Sequence, residues 1–97
     1  MDRREITTSG GNIVYWVSRV AEPEKPWLVF LPGLTGDRRL FEKQIESFEG
    51  KANLLVWDAP SHGESRPFDL IWMLDDLARW LKQVLDTEGV TEPILIG

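Results

Sequence analysis

Runs of apolar residues that are separated by polar turns predict a sheet whose first two strands form a hairpin. Residues 3–8 alternate weakly between polar and apolar positions, and residues 13–20 are rich in β-branched and aromatic side chains, which favour strands. The turn Ser9-Gly10-Gly11-Asn12 lies between them, and glycine and asparagine accept positive φ angles at low cost. We therefore expect an antiparallel hairpin over residues 3–21.

Three continuous apolar runs follow the hairpin. They lie within residues 27–31, 53–58 and 93–97, and none of them alternates with polar positions. A short apolar run without alternation is typical of a strand that is buried on both faces of a parallel sheet. The pattern predicts three such strands.

Two stretches between these runs carry apolar residues at helical spacing. The first predicts a helix over residues 38–49, with Asp37 as its N-cap. The second predicts a helix over residues 69–88, with Asp69 as its cap. Its apolar stripe consists of Leu70, Met73, Leu74, Leu77, Leu81, Val84 and Leu85.

The order of these elements is hairpin, strand, helix, strand, helix, strand. Strands that alternate with helices pair in parallel through crossover connections, and the helices then cover the faces of the sheet. The sequence thus predicts an α/β fold over residues 1–97, in which an antiparallel hairpin precedes a parallel β-α-β-α-β unit.

Composition narrows the function classes. The chain has 97 residues, a formal net charge of -5 and no cysteine. The absence of cysteine excludes disulfides, a thiol nucleophile and a thiolate zinc site. The acidic balance argues against nucleic acid and anionic membranes as partners, since both require clustered basic residues. No apolar run approaches the ~20 residues of a membrane span, and no secretory pattern precedes the hairpin, so a cytoplasmic location is expected.

Three motifs together resemble the N-terminal part of an α/β-hydrolase, and they span essentially the whole chain. Residues 31–37, Leu-Pro-Gly-Leu-Thr-Gly-Asp, resemble the oxyanion loop of that family. Residues 58–65, Asp-Ala-Pro-Ser-His-Gly-Glu-Ser, are similar to its Asp-x-Pro-x-His-Gly-x-Ser segment. Residues 94–97, Ile-Leu-Ile-Gly, look like the strand that leads into the Gly-x-Ser-x-Gly nucleophile elbow.

The resemblance implies that residues 32–37 form an oxyanion-type loop. In this family one donor of the oxyanion hole comes from the loop after the third strand. Gly33 would allow a close approach, the Leu34 N–H is the candidate donor, and Thr35 could add a hydroxyl contact. Many relatives have His-Gly where this chain has Pro32-Gly33, so the side-chain contribution of that histidine is missing here. The alternative is a simple strand-to-helix turn.

The second motif is implied to be a structural loop that contains Asp58, His62, Gly63 and Ser65. His62 is the only histidine, but the side chains of adjacent residues diverge, so Ser61 and His62 are poorly placed for a nucleophile–base pair. Residues 63–67 imitate Gly-x-Ser-x-Gly but end in proline and begin well after the strand, so Ser65 is expected to be a loop residue.

The catalytic residues are expected to lie beyond Gly97, which would be the first glycine of the elbow. In this family the triad follows the order Ser, acid, His, and it starts at the elbow. The resemblance therefore implies a hydrolase of carboxylic esters or related acyl bonds of a small-molecule substrate, and a 97-residue chain that is inactive alone. Either Ser or Asp could be the nucleophile.

No cofactor or metal is expected. The pair Asp75-Asp76 has no histidine or cysteine at ligand spacing, and the chain has neither a Gly-x-Gly-x-x-Gly nor a phosphate-loop sequence. The five tryptophans are expected in the core or at an interface, and in a complete hydrolase Trp72 or Trp80 could approach the substrate pocket.

Two other functions remain open. The apolar residues 94–97 carry no charge that would protect an exposed sheet edge. The chain could therefore be a non-catalytic module that binds a protein through this edge, or one chain of a split hydrolase. In either case we expect the edge to associate with a second copy of the chain or with a missing C-terminal half.

Overall fold

A five-stranded mixed sheet with helices on both faces forms the body of the protein. The computed structural model describes residues 1–33, 35–68 and 71–97. The strands are β1 (Asp2–Thr7), β2 (Asn12–Val17), β3 (Trp27–Phe30), β4 (Asn53–Trp57) and β5 (Pro93–Ile96). The helices are a 3-10 turn (Arg38–Phe41), α1 (Glu42–Phe48) and α2 (Leu74–Thr87).

The strand order β1-β2-β4-β3-β5 confirms the predicted α/β architecture. β1 and β2 form the antiparallel hairpin, and β2 pairs antiparallel with β4. β4, β3 and β5 are parallel to one another. The hairpin therefore lies at one edge of the sheet and β5 lies at the other.

Alternate residues of the central strands pack on opposite faces of the sheet. Phe30 and Val56 pack with Phe41 on the face that α1 covers. Val29 and Leu55 belong to the larger cluster that α2 covers. Burial of both faces explains why the apolar runs in β3 and β4 show no polar alternation.

The two crossover connections leave the sheet on opposite faces. The chain leaves β3 toward α1 and leaves β4 toward α2, although β3 and β4 are neighbours. Adjacent parallel strands whose connections diverge in this way leave a crevice at their carboxyl ends, where ligands bind in open α/β sheets.

The first helix is shorter and less regular than predicted. Asp37 is its N-cap and accepts a hydrogen bond from the Arg39 N–H at 3.0 Å. The first turn is a 3-10 helix, and the α-helix proper spans Glu42–Phe48 rather than residues 38–49. Tight i to i+3 bonding is common where a helix starts.

The second helix begins at Leu74, five residues later than predicted. The expected cap, Asp69, lies outside the described residues. Met73 is the N-cap residue and has an extended backbone, and its N–H donates to the carboxylate of Asp76, three residues later, at 3.0 Å. The stripe is confirmed at Val84, which is buried, and at Leu77, Leu81 and Leu85, which pack against the core. It was wrong at Met73 and Leu74, which are exposed, and it did not include Trp80, which is buried.

The end of α2 is attached to the hairpin through Glu88. Its carboxylate accepts a hydrogen bond from the Tyr15 hydroxyl at 2.5 Å and lies 2.7 Å from the Arg4 guanidinium. Burial raises the pKa of Tyr15 above its ordinary value, and the hydrogen bond to Glu88 adds to the rise. These contacts fix α2 across the sheet.

Candidate functional site

Two loops meet at the carboxyl edge of the sheet, and they contain most of the candidate residues. Residues 31–37 follow β3 and residues 58–68 follow β4. Gly33 and Thr35 are exposed in the first loop. The candidate oxyanion donor, Leu34, lies outside the described residues.

Asp58 joins the two loops from a buried position directly after β4. Its Oδ1 accepts from the Arg38 N–H at 2.9 Å, and its Oδ2 accepts from the Glu64 N–H at 2.9 Å. The Arg38 guanidinium lies 3.3 Å from Oδ2, so the charge of Asp58 is paired as well as hydrogen-bonded. The carboxylate is fully occupied in holding the loops together.

Gly63 is required by this arrangement. Its φ of 48° lies in the left-handed region, and a Cβ at this position would overlap the Asp58 carboxylate. The glycine thus permits the close approach that lets the Glu64 N–H reach Asp58.

Ser65 is buried and serves as a bridge within the protein. Its hydroxyl donates to the Asp58 carbonyl oxygen at 2.6 Å and accepts from the Val14 N–H at 2.8 Å. The hydroxyl therefore links the loop to β2 and is shielded from solvent.

His62 contacts the first loop from the second. Its Nε2 is 3.1 Å from the Thr35 backbone nitrogen, and its Nδ1 is 3.0 Å from the Pro60 carbonyl oxygen. A backbone N–H only donates and a carbonyl oxygen only accepts, so these contacts assign Nε2 as the acceptor and Nδ1 as the donor. Both ring nitrogens are engaged.

Arg38 also helps to hold the two loops together, and no sequence pattern indicated this residue. Its guanidinium lies 4.1 Å from the centre of the Trp16 ring and 3.1 Å from the Glu64 carboxylate, in addition to its contact with Asp58. The two ion pairs attach the start of the first helix to the second loop, and the cation–π contact attaches it to β2. The partners are distant in sequence, so no local motif reveals them.

An apolar pocket of about 350 Å³ lies beside the two loops, between them and α2. Its wall combines residues from the first loop, the end of β4, the second loop, α2 and the segment just before α2: Leu31, Pro32, Gly33, Trp57, Ala59, His62, Trp72, Leu74, Leu77, Ala78 and Leu81. The indole N–H of Trp72 is 3.4 Å from the Ser61 hydroxyl. Trp80, by contrast, packs in the core against Phe68.

Gly97 follows β5 at the same edge of the sheet. The Leu31 N–H donates to the Ile96 carbonyl oxygen at 2.8 Å, which continues the pairing of β3 with β5 to the last residue before Gly97. Gly97 therefore lies next to the start of residues 32–37.

Comparison with known proteins now identifies the architecture. The chain is 32% identical over 85 residues to 2-succinyl-6-hydroxy-2,4-cyclohexadiene-1-carboxylate synthase from Escherichia coli O8 (strain IAI1), an alignment that covers 88% of this chain and 33% of that protein. The α/β hydrolase MGS-M2 from a Medee basin deep-sea metagenome library superimposes with a TM-score of 0.85 at 19% identity, over 97% of this chain and 34% of the other. The chain has the fold of the N-terminal part of an α/β-hydrolase.

A second solved structure superimposes on this chain over a similar range. The N-acyl homoserine lactonase AidH, complexed with N-butanoyl homoserine, superimposes with a TM-score of 0.82 at 22% identity, over 100% of this chain and 36% of that chain. The chain thus spans about a third of the length of the relatives that it matches. No protein-family model matches it.

The α/β-hydrolase fold accounts for the position of the three motifs. Residues 31–37, residues 58–65 and Gly97 follow β3, β4 and β5, and all three therefore lie at the carboxyl edge of the parallel strands. Within residues 1–33, 35–68 and 71–97, no three acidic or histidine side chains are close enough to hold a metal ion. In that same part of the chain, no helix is both long enough and apolar enough to cross a membrane.

Proposed function

We propose that this chain supplies the oxyanion-loop side of the active site in an α/β-hydrolase that cleaves carboxylic esters or related acyl bonds. The observation that carries the proposal is the hydrogen bond between the Leu31 N–H and the Ile96 carbonyl oxygen. It brings Gly97, where the nucleophile elbow would start, beside the candidate oxyanion loop at residues 32–37. A nucleophile two residues beyond Gly97 would then attack next to that loop.

The chemistry requires backbone donors at that place. When a serine attacks an acyl carbon, negative charge develops on the carbonyl oxygen, and preorganised N–H groups stabilise it. We assign one of these donors to the Leu34 N–H and a further contact to the Thr35 hydroxyl. Gly33 is exposed beside the pocket, so the substrate can approach the backbone closely there. The Thr35 N–H is already bonded to His62 and is not a donor to substrate.

The nucleophile, acid and catalytic histidine would come from outside residues 1–97. Ser65 is buried between Asp58 and Val14. The only histidine of the chain, His62, has both ring nitrogens engaged. Neither residue is free for acyl transfer, so we propose that the 97-residue chain is inactive alone. The missing groups would be supplied either by polypeptide that continues past Gly97 or by a second chain.

The pocket indicates the substrate class. Apolar side chains, with Trp57, Trp72 and Leu77 among them, form most of its wall. A small and largely apolar acyl compound fits such a wall, since burial of apolar surface favours its binding. The structural relative AidH is named for the hydrolysis of an acyl homoserine lactone, which belongs to this bond class.

A direct assay tests the proposal. The 97-residue chain and the natural protein, recovered from its source with an antibody to residues 1–20, are each offered short-chain p-nitrophenyl esters. We expect hydrolysis by the natural protein and none above buffer by the 97-residue chain. Equal absence of activity from both would refute the esterase proposal. Fractionation of the same cells checks the proposed cytoplasmic location.

A protein-binding module is the second candidate, and the outer strand favours it. Ile94 and Leu95 in β5 are 51% and 54% exposed although they lie on opposite faces of the sheet. Among the described residues, β5 pairs only with β3, so its outer edge is open to another strand. A natural protein of 11.2 kDa that binds a partner without hydrolysing esters would support this candidate instead.

A further inference from the structure

The hydrogen bond between His62 and Thr35 crosses from one loop of the site to the other. The two residues are 27 positions apart, and the bond joins the Thr35 backbone nitrogen to Nε2 at 3.1 Å. The other ring nitrogen donates to the Pro60 carbonyl oxygen. The imidazole is thereby held at both ends, once by its own loop and once by the loop opposite.

The backbone around His62 is itself rigidly bonded. Its N–H donates to the Ala59 carbonyl oxygen at 2.9 Å, and its carbonyl oxygen accepts from the Ser65 N–H at 2.8 Å. Ser65 is buried and tied to β2. His62 is consequently a fixed point relative to the sheet.

Thr35, in contrast, has a conformation that needs support. Its φ of 71° lies in the left-handed region, where a β-branched residue is unfavourable. Its side chain is exposed and packs little. The hydrogen bond to His62 Nε2 is the contact that holds the Thr35 amide in place. Thr35 directly follows Leu34, whose N–H is the proposed donor of the oxyanion hole.

A second hydrogen bond restrains the chain at the end of residues 32–37. The Asp58 carboxylate accepts from the Arg38 N–H at 2.9 Å, just beyond residues 32–37. The loop is thus attached to the segment after β4 at Thr35 and again at Arg38. Two attachments fix its orientation, whereas one alone would leave it free to pivot.

We propose that His62 is a positioning residue, which fixes the oxyanion loop by accepting the Thr35 N–H and exchanges no proton with the substrate. This inference rests on the proposed function, because it assigns His62 a part in acyl transfer. It differs from a role as general base, which would require an unoccupied Nε2.

The hydrogen bond can be observed directly. In the ¹⁵N-labelled protein, in whichever form is soluble, we expect a scalar coupling across the N–H···N bond between the Thr35 amide nitrogen and His62 Nε2. We also expect the ring shifts of an imidazole that carries its proton on Nδ1 and accepts on Nε2. Absence of the coupling, or a proton on Nε2, would overturn the inference without use of any variant.

Two variants of His62 distinguish a positioning role of this residue from a role in packing alone. His62→Gln keeps an acceptor oxygen near the place of Nε2, whereas His62→Phe keeps an aromatic ring and has no acceptor. In the catalytically complete protein, His62→Phe should lower kcat about 10- to 100-fold, since a small misplacement of a catalytic group has effects of that size. KM should stay within about twofold, and His62→Gln should restore most of kcat.

The outcomes distinguish this inference from the proposed function. Equal loss in both variants, or a rise in KM at unchanged kcat, would show that His62 only packs or binds and would overturn the positioning role. If the wild-type protein shows the coupling but hydrolyses no ester, the esterase proposal fails, while the attachment of the loop by His62 stands.

Discussion

The buried carboxylate of Asp58 accepts the Arg38 N–H at 2.9 Å and lies 3.3 Å from the guanidinium of the same residue. This relationship connects the end of β4 to the start of the first helix. It accounts for the close approach of the two loops at the carboxyl edge of the sheet, and with it the pocket beside them.

Removal of this carboxylate should destabilise the fold. Asp58→Ala leaves the N–H groups of Arg38 and Glu64 without their acceptor and removes the charge partner of Arg38. We expect the free energy of unfolding to fall by about 3 kcal/mol, measured by urea denaturation. The exposed Asp75→Ala serves as control and should change it by about 0.5 kcal/mol or less. Equal effects of the two substitutions would show that Asp58 does not hold the loops.

Gly63 and Gly89 form a matched pair for the second prediction. Both have a positive φ, 48° and 72°, so alanine is strained by about 1–2 kcal/mol at either position. A Cβ at Gly63 would also overlap the Asp58 carboxylate, whereas a Cβ at Gly89 would meet no atom of the described residues within 4 Å. Gly63→Ala should therefore lower the melting temperature clearly more than Gly89→Ala. A smaller effect at Gly63 would contradict the described packing.

The N-cap of the first helix should make stability depend on acid pH. The hydrogen bond from Arg39 holds the pKa of Asp37 at about 2, below the ordinary 3.8. Because the folded pKa is lowered, the stabilisation is complete above the unfolded value and is lost as the pH falls from about 4 to about 2. Asp37→Asn keeps a capping oxygen but cannot titrate. Thermal unfolding of this variant should vary less over that range than that of the wild type, and parallel curves would refute the assignment.

The exposed outer strand should make the isolated chain associate. Ile94 lies in β5 and is 51% exposed, and an apolar strand at a sheet edge is a template for pairing. We expect concentration-dependent association in analytical ultracentrifugation, which Ile94→Lys should reduce. Val20→Lys, at a residue that is 75% exposed outside any strand, is the control and should leave the association unchanged. A chain that stays monomeric without any substitution would contradict the prediction.

Much of the fold could be predicted because its determinants are local. The apolar runs of β3 and β4 reflect burial on both faces, and Asp37 stands directly before the helix that it caps. The predicted start of α2 at residue 69 was wrong: Met73 has an extended backbone, its N–H donates to Asp76, and the helix begins at Leu74.

The contacts within the candidate site were harder to predict from the sequence than the fold. Its motifs predict which loops matter, but the contacts that orient them join residues far apart in the chain, such as Thr35 with His62 and Arg38 with Trp16. Such contacts depend on the strand order, in which β3 and β4 are neighbours and send their connections to opposite faces. No local periodicity records that order.

The intact mass of the natural protein, before and after treatment with a fluorophosphonate, tests the central claim most directly. The protein is recovered from its source with an antibody to residues 1–20. The account predicts that the recovered material contains a serine that takes up one phosphonate, located either in a peptide that continues past Gly97 or in a second chain bound to this one. A recovered mass of 11.2 kDa, with no partner chain and no phosphonate uptake, would contradict the claim that this protein takes part in acyl hydrolysis.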